Sequence, residues 1–222
     1  MVSKSFRTTA FACLLAMVPL SSLASSQQQT SVPSETFSQL NDVQQALASH
    51  SLVRGEFTQT RNMEMFSQPL TSKGRFLLDK ENGLLWDQTA PFPVKLVLTK
   101  DKLSQKFADQ TPQIITAKEN PMAFYFSHIF LSVFHGDTEQ LKQQFDLIFS
   151  PSQDTHNQWE LKLSPKAAPL SSVFNNIILV GNSDIEKITL EEVRGDSTVI
   201  EFTNQTHLPE ALTHAEKAQF QF

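Results

Sequence analysis

The chain has 222 residues with 18 Lys and Arg against 23 Asp and Glu, a formal charge of −5, and no basic cluster. This argues against a nucleic-acid interface and against tight binding to anionic lipid headgroups. Its 18 Phe against one Tyr and two Trp indicate surface built to stay dry, because Phe carries no polar handle.

Lys4 and Arg7, the apolar run Ala10 to Leu20 and the small-x-small sequence Ser22-Leu23-Ala24 read as a signal peptide over residues 1–24. The apolar run falls short of the ~20 residues of a membrane span. The only cysteine, Cys13, lies inside it and is expected to leave with it. The product is then an exported, soluble, cysteine-free protein without disulfides. Cleavage after Ala24 leaves 198 residues and removes two basic and no acidic groups, which moves the charge from −5 to −7. Residues 25–34, rich in Ser, Gln and Thr, read as a flexible leader. Residues 35–222 form a single domain of ample size for a core.

Thr36-Phe37-Ser38-Gln39 fits a capping box. Phe37, Leu40, Val43 and Leu47 then recur at helical spacing, which predicts an amphipathic helix over 37–49 that needs a sheet to lie on. From Leu52 the period is two. Val53, Gly55, Phe57 and Gln59 share a face, and Met63 to Ser67 is expected to pair back as the next strand. Leu70, Ser72, Gly74, Phe76 and Leu78 alternate in the same way. Lys80-Glu81-Asn82-Gly83 is hairpin chemistry. Leu84 and Trp86 start another strand that Pro91 and Pro93 break. Val94, Leu96 and Leu98 make the next, and Leu103–Phe107 a further one. Asp109 to Lys118 has no clear pattern.

Asn120 and Pro121 are N-terminal helix signals, followed by a run from Met122 to Phe134 that is apolar nearly all round. Such a helix is buried on several sides or covers something greasy. Gly136 ends it, and Asp137 caps a short helix through Leu141. Phe145, Leu147 and Phe149 resume alternation. After the loop 151–157 come strands at Trp159–Leu163, Val173–Val180, Ile185–Glu192 and Thr198–Thr203, with a last one at Ala218–Phe222. Gly181-Asn182 and Arg194-Gly195-Asp196-Ser197 supply hairpin turns. Arg194-Gly195-Asp196 also spells a cell-adhesion tripeptide, but any hairpin would place Gly-Asp there.

Chemistry-bearing constellations do not emerge. The six His residues (50, 128, 135, 156, 207 and 214) come without HExxH, a cysteine partner or a dense carboxylate cluster, so no metal site and no cofactor is expected. No Gly-x-Ser-x-Gly elbow or Gly-rich phosphate loop is present, and nothing identifies an enzyme. What remains is an apolar sheet face and the Met122–Phe134 helix. They make either a filled core or a half-open barrel enclosing a cavity for acyl chains. The terminal Phe222, after Phe220, is compatible with an outer-membrane barrel, but such a barrel does not need two helices of such distinct character.

Phe57-Thr58-Gln59, the strand opened by Gly74, and Trp86 ahead of a proline-containing turn resemble the first half of the LolA-like periplasmic lipoprotein carriers of Gram-negative bacteria. The second half matches through Trp159-x-Leu161-x-Leu163-x-Pro165-Lys166, Ile177-x-Leu179, Ile188-x-Leu190 and Gly195-Asp196. The resemblance implies a mainly β fold with α, an incomplete antiparallel β-barrel under a helical lid with a hydrophobic cavity between. Phe57, Phe76, Leu78, Trp86, Leu96, Met122, Phe126 and Phe130 are expected to line that cavity. It also implies a basic latch that reaches back to the lid, which falls on Lys80 where better-known carriers have Arg. The implied role is a monomeric periplasmic shuttle that takes lipid or acylated lipoprotein cargo from an inner-membrane donor complex to an outer-membrane acceptor. A non-protein lipid or glycolipid is the alternative cargo. Two departures stand out. The chain is expected to end on its last strand, where known lipoprotein carriers continue through an extra segment, and it has no N-terminal lipidated cysteine of the family's receptor branch.

Overall fold

Among the described residues, eleven antiparallel strands form one sheet that does not close. The computed structural model describes residues 39–151 and 158–222, all within one compact unit spanning Ser34–Phe222. In chain order these are α1 (Leu40–Ser49), β1 (Leu52–Asn62), β2 (Leu70–Asp79), β3 (Gly83–Ala90), β4 (Val94–Leu98), β5 (Lys102–Phe107) and β6 (Gln113–Thr116). Then follow α2 (Pro121–Phe134), α3 (Thr138–Gln144), β7 (Phe145–Ser150), β8 (Trp159–Pro165), β9 (Phe174–Gly181), β10 (Ile185–Glu192), β11 (Ser197–Thr206) and α4 (His214–Gln219). The signal peptide, the leader and the Thr36–Gln39 capping box fall outside or at the edge of the described residues. Helix α1 begins at Leu40, where the Gln39 backbone N–H donates to Asp42 Oδ2 at 3.0 Å.

The strand order β6-β5-β4-β3-β2-β1-β11-β10-β9-β8-β7 is two meanders joined where the first strand pairs with the last. Strands β6 and β7 follow each other in sequence yet occupy opposite edges, so the chain between them must cross the open side. Helices α2 and α3 make that crossing. Register shifts in the β1–β11, β2–β3 and β9–β10 pairings bend the strands. The result is an incomplete antiparallel barrel covered by helices.

The concave face holds the core. Phe57, Phe76, Leu78, Leu163, Leu179, Ile188 and Phe202 from the sheet pack with Val43, Ile129, Val133 and Leu141 from the helices. Each fully buried side chain of this kind contributes about 1.5–3 kcal/mol, as an upper estimate. Gly55 pairs with Phe76 and Gly74 with Phe57. A Cβ on either glycine would collide with the opposing Phe ring. Each ring therefore lies over its partner's glycine, and the two strands lock in register.

The convex face carries a smaller apolar layer. Leu77, Leu85, Val97 and Ser104 run across neighbouring strands, and Leu77, Val97 and Ser104 are buried. The C-terminal segment crosses this face. It is held by Arg54 on Glu216 at 2.6 Å, Lys95 on Gln219 at 3.3 Å and Lys102 on the Phe222 carbonyl at 3.1 Å.

Three sequence expectations are corrected. Met63 to Ser67 is a connection and not a strand, because β1 runs on to Asn62 and pairs directly with β2. A short edge strand, β6, lies within the unpatterned 109–118 stretch. Ala218–Phe222 is not a strand either: α4 runs to Gln219 and Phe220 is its C-cap. Thr213 Oγ1 accepts from the Glu216 N–H and Glu216 Oε2 accepts from the Thr213 N–H, a capping box that outweighs the Phe220-x-Phe222 alternation.

Candidate functional site

Helix α2 builds the site. Asn120 Oδ1 caps it by accepting from the Ala123 N–H at 3.0 Å, and Pro121 occupies the first turn. Its polar side chains are spent locally. Ser127 donates to the Ala123 carbonyl, Ser132 to the His128 carbonyl and Gln140, and Tyr125 to Gln144 of α3. His128, on the outer side, meets the Lys100 carbonyl at 3.2 Å. The helix therefore turns a surface without free polar groups toward the sheet.

Between that surface and the sheet lies a cavity of about 330 Å³. Strands β3 to β5 contribute Leu84, Leu96, Leu98 and Leu103; strands β9 and β10 contribute Phe174, Ile177, Leu179, Ile188 and Leu190. Leu170 closes one side, and Ser127, Ile129, Phe130 and Val133 of α2 form the roof. Ser127 is the polar member, and its hydroxyl is already bound to its own helix. The wall can hold hydrocarbon and offers nothing to a charged or hydrogen-bonding group. A larger cleft, about 570 Å³, lies on the convex side among Asp184, Glu186, Lys187 and Glu201. Its charged wall suits no acyl chain.

Leu96 and Phe130 stand on the cavity wall. Phe57, Phe76 and Leu78 are instead in the packed core beside it, and Trp86 stacks on Phe57 with ring centroids 3.6 Å apart. Phe202 makes edge contacts with Phe76, Trp86 and Phe134, and Phe134 tilts against Phe130. This aromatic column ties α2 to the centre of the sheet. Met122, at the start of α2, is 44% exposed and is not on the cavity wall. Phe126 lies in α2, but its side chain is outside the described residues. The wall residues from β9 and β10 were not singled out from sequence. Ile177-x-Leu179 and Ile188-x-Leu190 showed their inward face, but not that they meet β3–β5 across a gap.

Lys80 sits in the β2–β3 turn, which Asp79 Oδ1 stiffens by accepting from the Glu81 and Asn82 backbone and the Asn82 side chain. Gly83, at φ 119°, allows the chain to turn back where a Cβ would meet the Leu98 carbonyl. Lys80 Nζ donates to the Ala48 carbonyl at 2.7 Å and the Leu47 carbonyl at 3.4 Å, the last turn of α1. A cation is well placed at a helix C-terminus. Burial pushes the Lys80 ammonium below its usual range. Burial first, and the Lys80 charge second, also lower the His135 imidazole at the end of α2. Helix α1 is tied in turn to the α2–α3 corner, where Thr138 Oγ1 donates to Gln44 Oε1 at 2.7 Å. Lys80 thus grips a helix that itself holds the roof.

A sequence model of the family described as outer membrane lipoprotein carrier protein LolA matches residues 48–222. No curated protein sequence matches the chain. Among solved structures it is similar to a LolA superfamily protein from Nitrosomonas europaea, at 9% identity and TM-score 0.40 over 75% of this chain and 90% of that one. It is also similar to a putative outer membrane lipoprotein-sorting protein domain from Vibrio parahaemolyticus, at 8% identity and TM-score 0.44 over 82% and 96%. The MucA/MucB complex of Pseudomonas aeruginosa matches at 16% identity and TM-score 0.37 over 82% of this chain and 59% of that one.

Proposed function

The chain belongs to the LolA family of outer membrane lipoprotein carrier proteins, and from that premise we propose that it is a periplasmic shuttle for acyl chains. It takes lipid-modified cargo from an inner-membrane donor and releases it to an outer-membrane acceptor, without chemistry of its own. The observation that carries this reading is the cavity wall under α2, aliphatic and aromatic throughout apart from a hydroxyl bound to its own helix. Transfer of acyl chain out of water is worth about 0.8 kcal/mol per CH₂, so a long chain is held firmly. At about 330 Å³ the cavity is near the lower end of the ~300–1,000 Å³ range for ligand pockets. A two- or three-chain cargo therefore requires α1 and α2 to lift, which breaks the Phe130–Phe134–Phe202 contacts and brings Phe57, Phe76, Leu78 and Trp86 to the wall. Lys80 acts as the latch on that movement. Release follows from an acceptor of higher affinity or from an open state that no longer covers the chains.

Native mass spectrometry of the exported protein tests the reading. An added mass released by organic solvent is expected, and its identity separates lipoprotein from free lipid or glycolipid cargo. A bare polypeptide mass, unchanged after incubation with membrane extract, would return the molecule to a filled-core structural domain.

A further inference from the structure

The two ends of the sheet differ. At one end lie the connections β1–β2, β3–β4, β5–β6 and β10–β11 and the approach to β9, which the register makes successive neighbours along the rim. Nearly every one exposes a large apolar side chain at or beside its tip. Met65 is 80% exposed and Phe66 51%, Phe92 between Pro91 and Pro93 is 74%, and Phe107, Val173 and Val193 are also exposed. The rim is tied together: the Glu64 N–H donates to Asp196 Oδ1 at 3.1 Å and the Val193 N–H to the Val173 carbonyl at 2.9 Å. At the other end the described turns are polar, with Lys80-Glu81-Asn82, Lys100-Asp101 and Asn182-Ser183-Asp184, and Leu208 is an exposed large apolar side chain beside them.

We propose that the apolar rim docks the protein on the surface of a phospholipid bilayer. Exposed apolar side chains gathered along one rim mark an interaction site. Its form favours a bilayer over a protein: the side chains are carried on separate loop tips along the rim and can enter an acyl boundary independently. The charge on the rim suits a zwitterionic surface. Arg61 is paired with Glu192 at 3.1 Å and Asp196 at 3.7 Å, and Lys166 with Asp146 at 3.8 Å. Attachment is therefore shallow, apolar and indifferent to anionic lipid. This rests on the carrier reading for its purpose, since acyl cargo is collected and delivered at membranes, but its geometry is separate from the cavity.

The test is flotation with phosphatidylcholine vesicles, using the full chain expressed with its own leader and recovered as the cell processes it. Wild type and the opposite-end control Leu208→Ser should float with the vesicles. Phe66→Ser/Phe92→Ser should lose at least about tenfold in partition, and replacing part of the lipid with phosphatidylglycerol should change nothing. Failure of wild type to float, equal loss in Leu208→Ser, or a requirement for anionic lipid would overturn the proposal. A fluorescent fatty acid added without vesicles reads the cavity independently and reports that the double variant is folded. If wild type floats but does not take the probe, the carrier reading fails and the docking surface stands.

Discussion

Single side chains set both the rigidity of this molecule and its proposed movement. Gly74 lies under the Phe57 ring and against the backbone of β3, so there is no room for a methyl group. Gly74→Ala should destabilise the fold by about 1–3 kcal/mol, read as a lower urea midpoint with an unchanged slope. Lys80 differs in kind, because it can be removed without disturbing the core. Its two hydrogen bonds to the end of α1 are partly exposed, so their loss is on the order of 1 kcal/mol. Lys80→Ala should speed release of a bound fluorescent fatty acid about fivefold at near-normal stability. Lys80→Arg should slow it, because the guanidinium fork can hold several carbonyls in fixed geometry. Unchanged release in both variants would remove the latch role. The family resemblance singled out Lys80 by its place before the Trp86 strand. The carbonyls it would meet were not, since they lie 32 and 33 residues away in sequence.

At the scale of elements, α2 and α4 show opposite outcomes of sequence reading. For α2 the cap, the proline and the unbroken apolar run agreed with one another, and the helix is where they place it. For α4 the alternation Phe220-x-Phe222 pointed to a strand, and the capping box of Thr213 and Glu216 that the structure shows prevailed because β11 already pairs with β1 and β10 and the sheet had no place for another strand there. That helix is held by Arg54, whose guanidinium reaches Glu216 and the Pro209 and Ala211 carbonyls. The hydrogen bond from Arg54 is the leading cause that lowers the Glu216 carboxyl from its ordinary 4.5 to about 2. A carboxyl depressed on folding stabilises above its unfolded pKa and loses that contribution as pH falls through the folded value. Attachment of the C-terminal segment should therefore weaken between pH 4.5 and about 2, seen as lower amide protection in 209–222 relative to intrinsic exchange. In Glu216→Gln the protection should be low already at neutral pH and nearly flat across that window.

For the whole molecule, sequence by itself determined the kind and order of most elements and which face of their strands is dry, with β6, the 63–67 connection and α4 as the exceptions. Period-2 alternation, Asn-Gly and Gly-Asp turns and helix caps are local signals, and they act through a few neighbouring residues. The motifs from Phe57 to Asp196 also carried the family. Only the tertiary structure decided which dry faces touch and which stand apart. Phe57, Phe76 and Leu78 alternate just as Leu84, Leu96 and Leu98 do. Yet the former close on Phe202 or within the core beside it, while the latter face Leu179 and Ile188 across a cavity under α2. Likewise, Phe66 and Phe92 are no different in sequence from buried Phe residues, and it is the strand register that brings their loops to one rim. Pairing of the first strand with the eleventh sets these distances. It depends on packing summed over the whole sheet, and no local stretch of sequence encodes it.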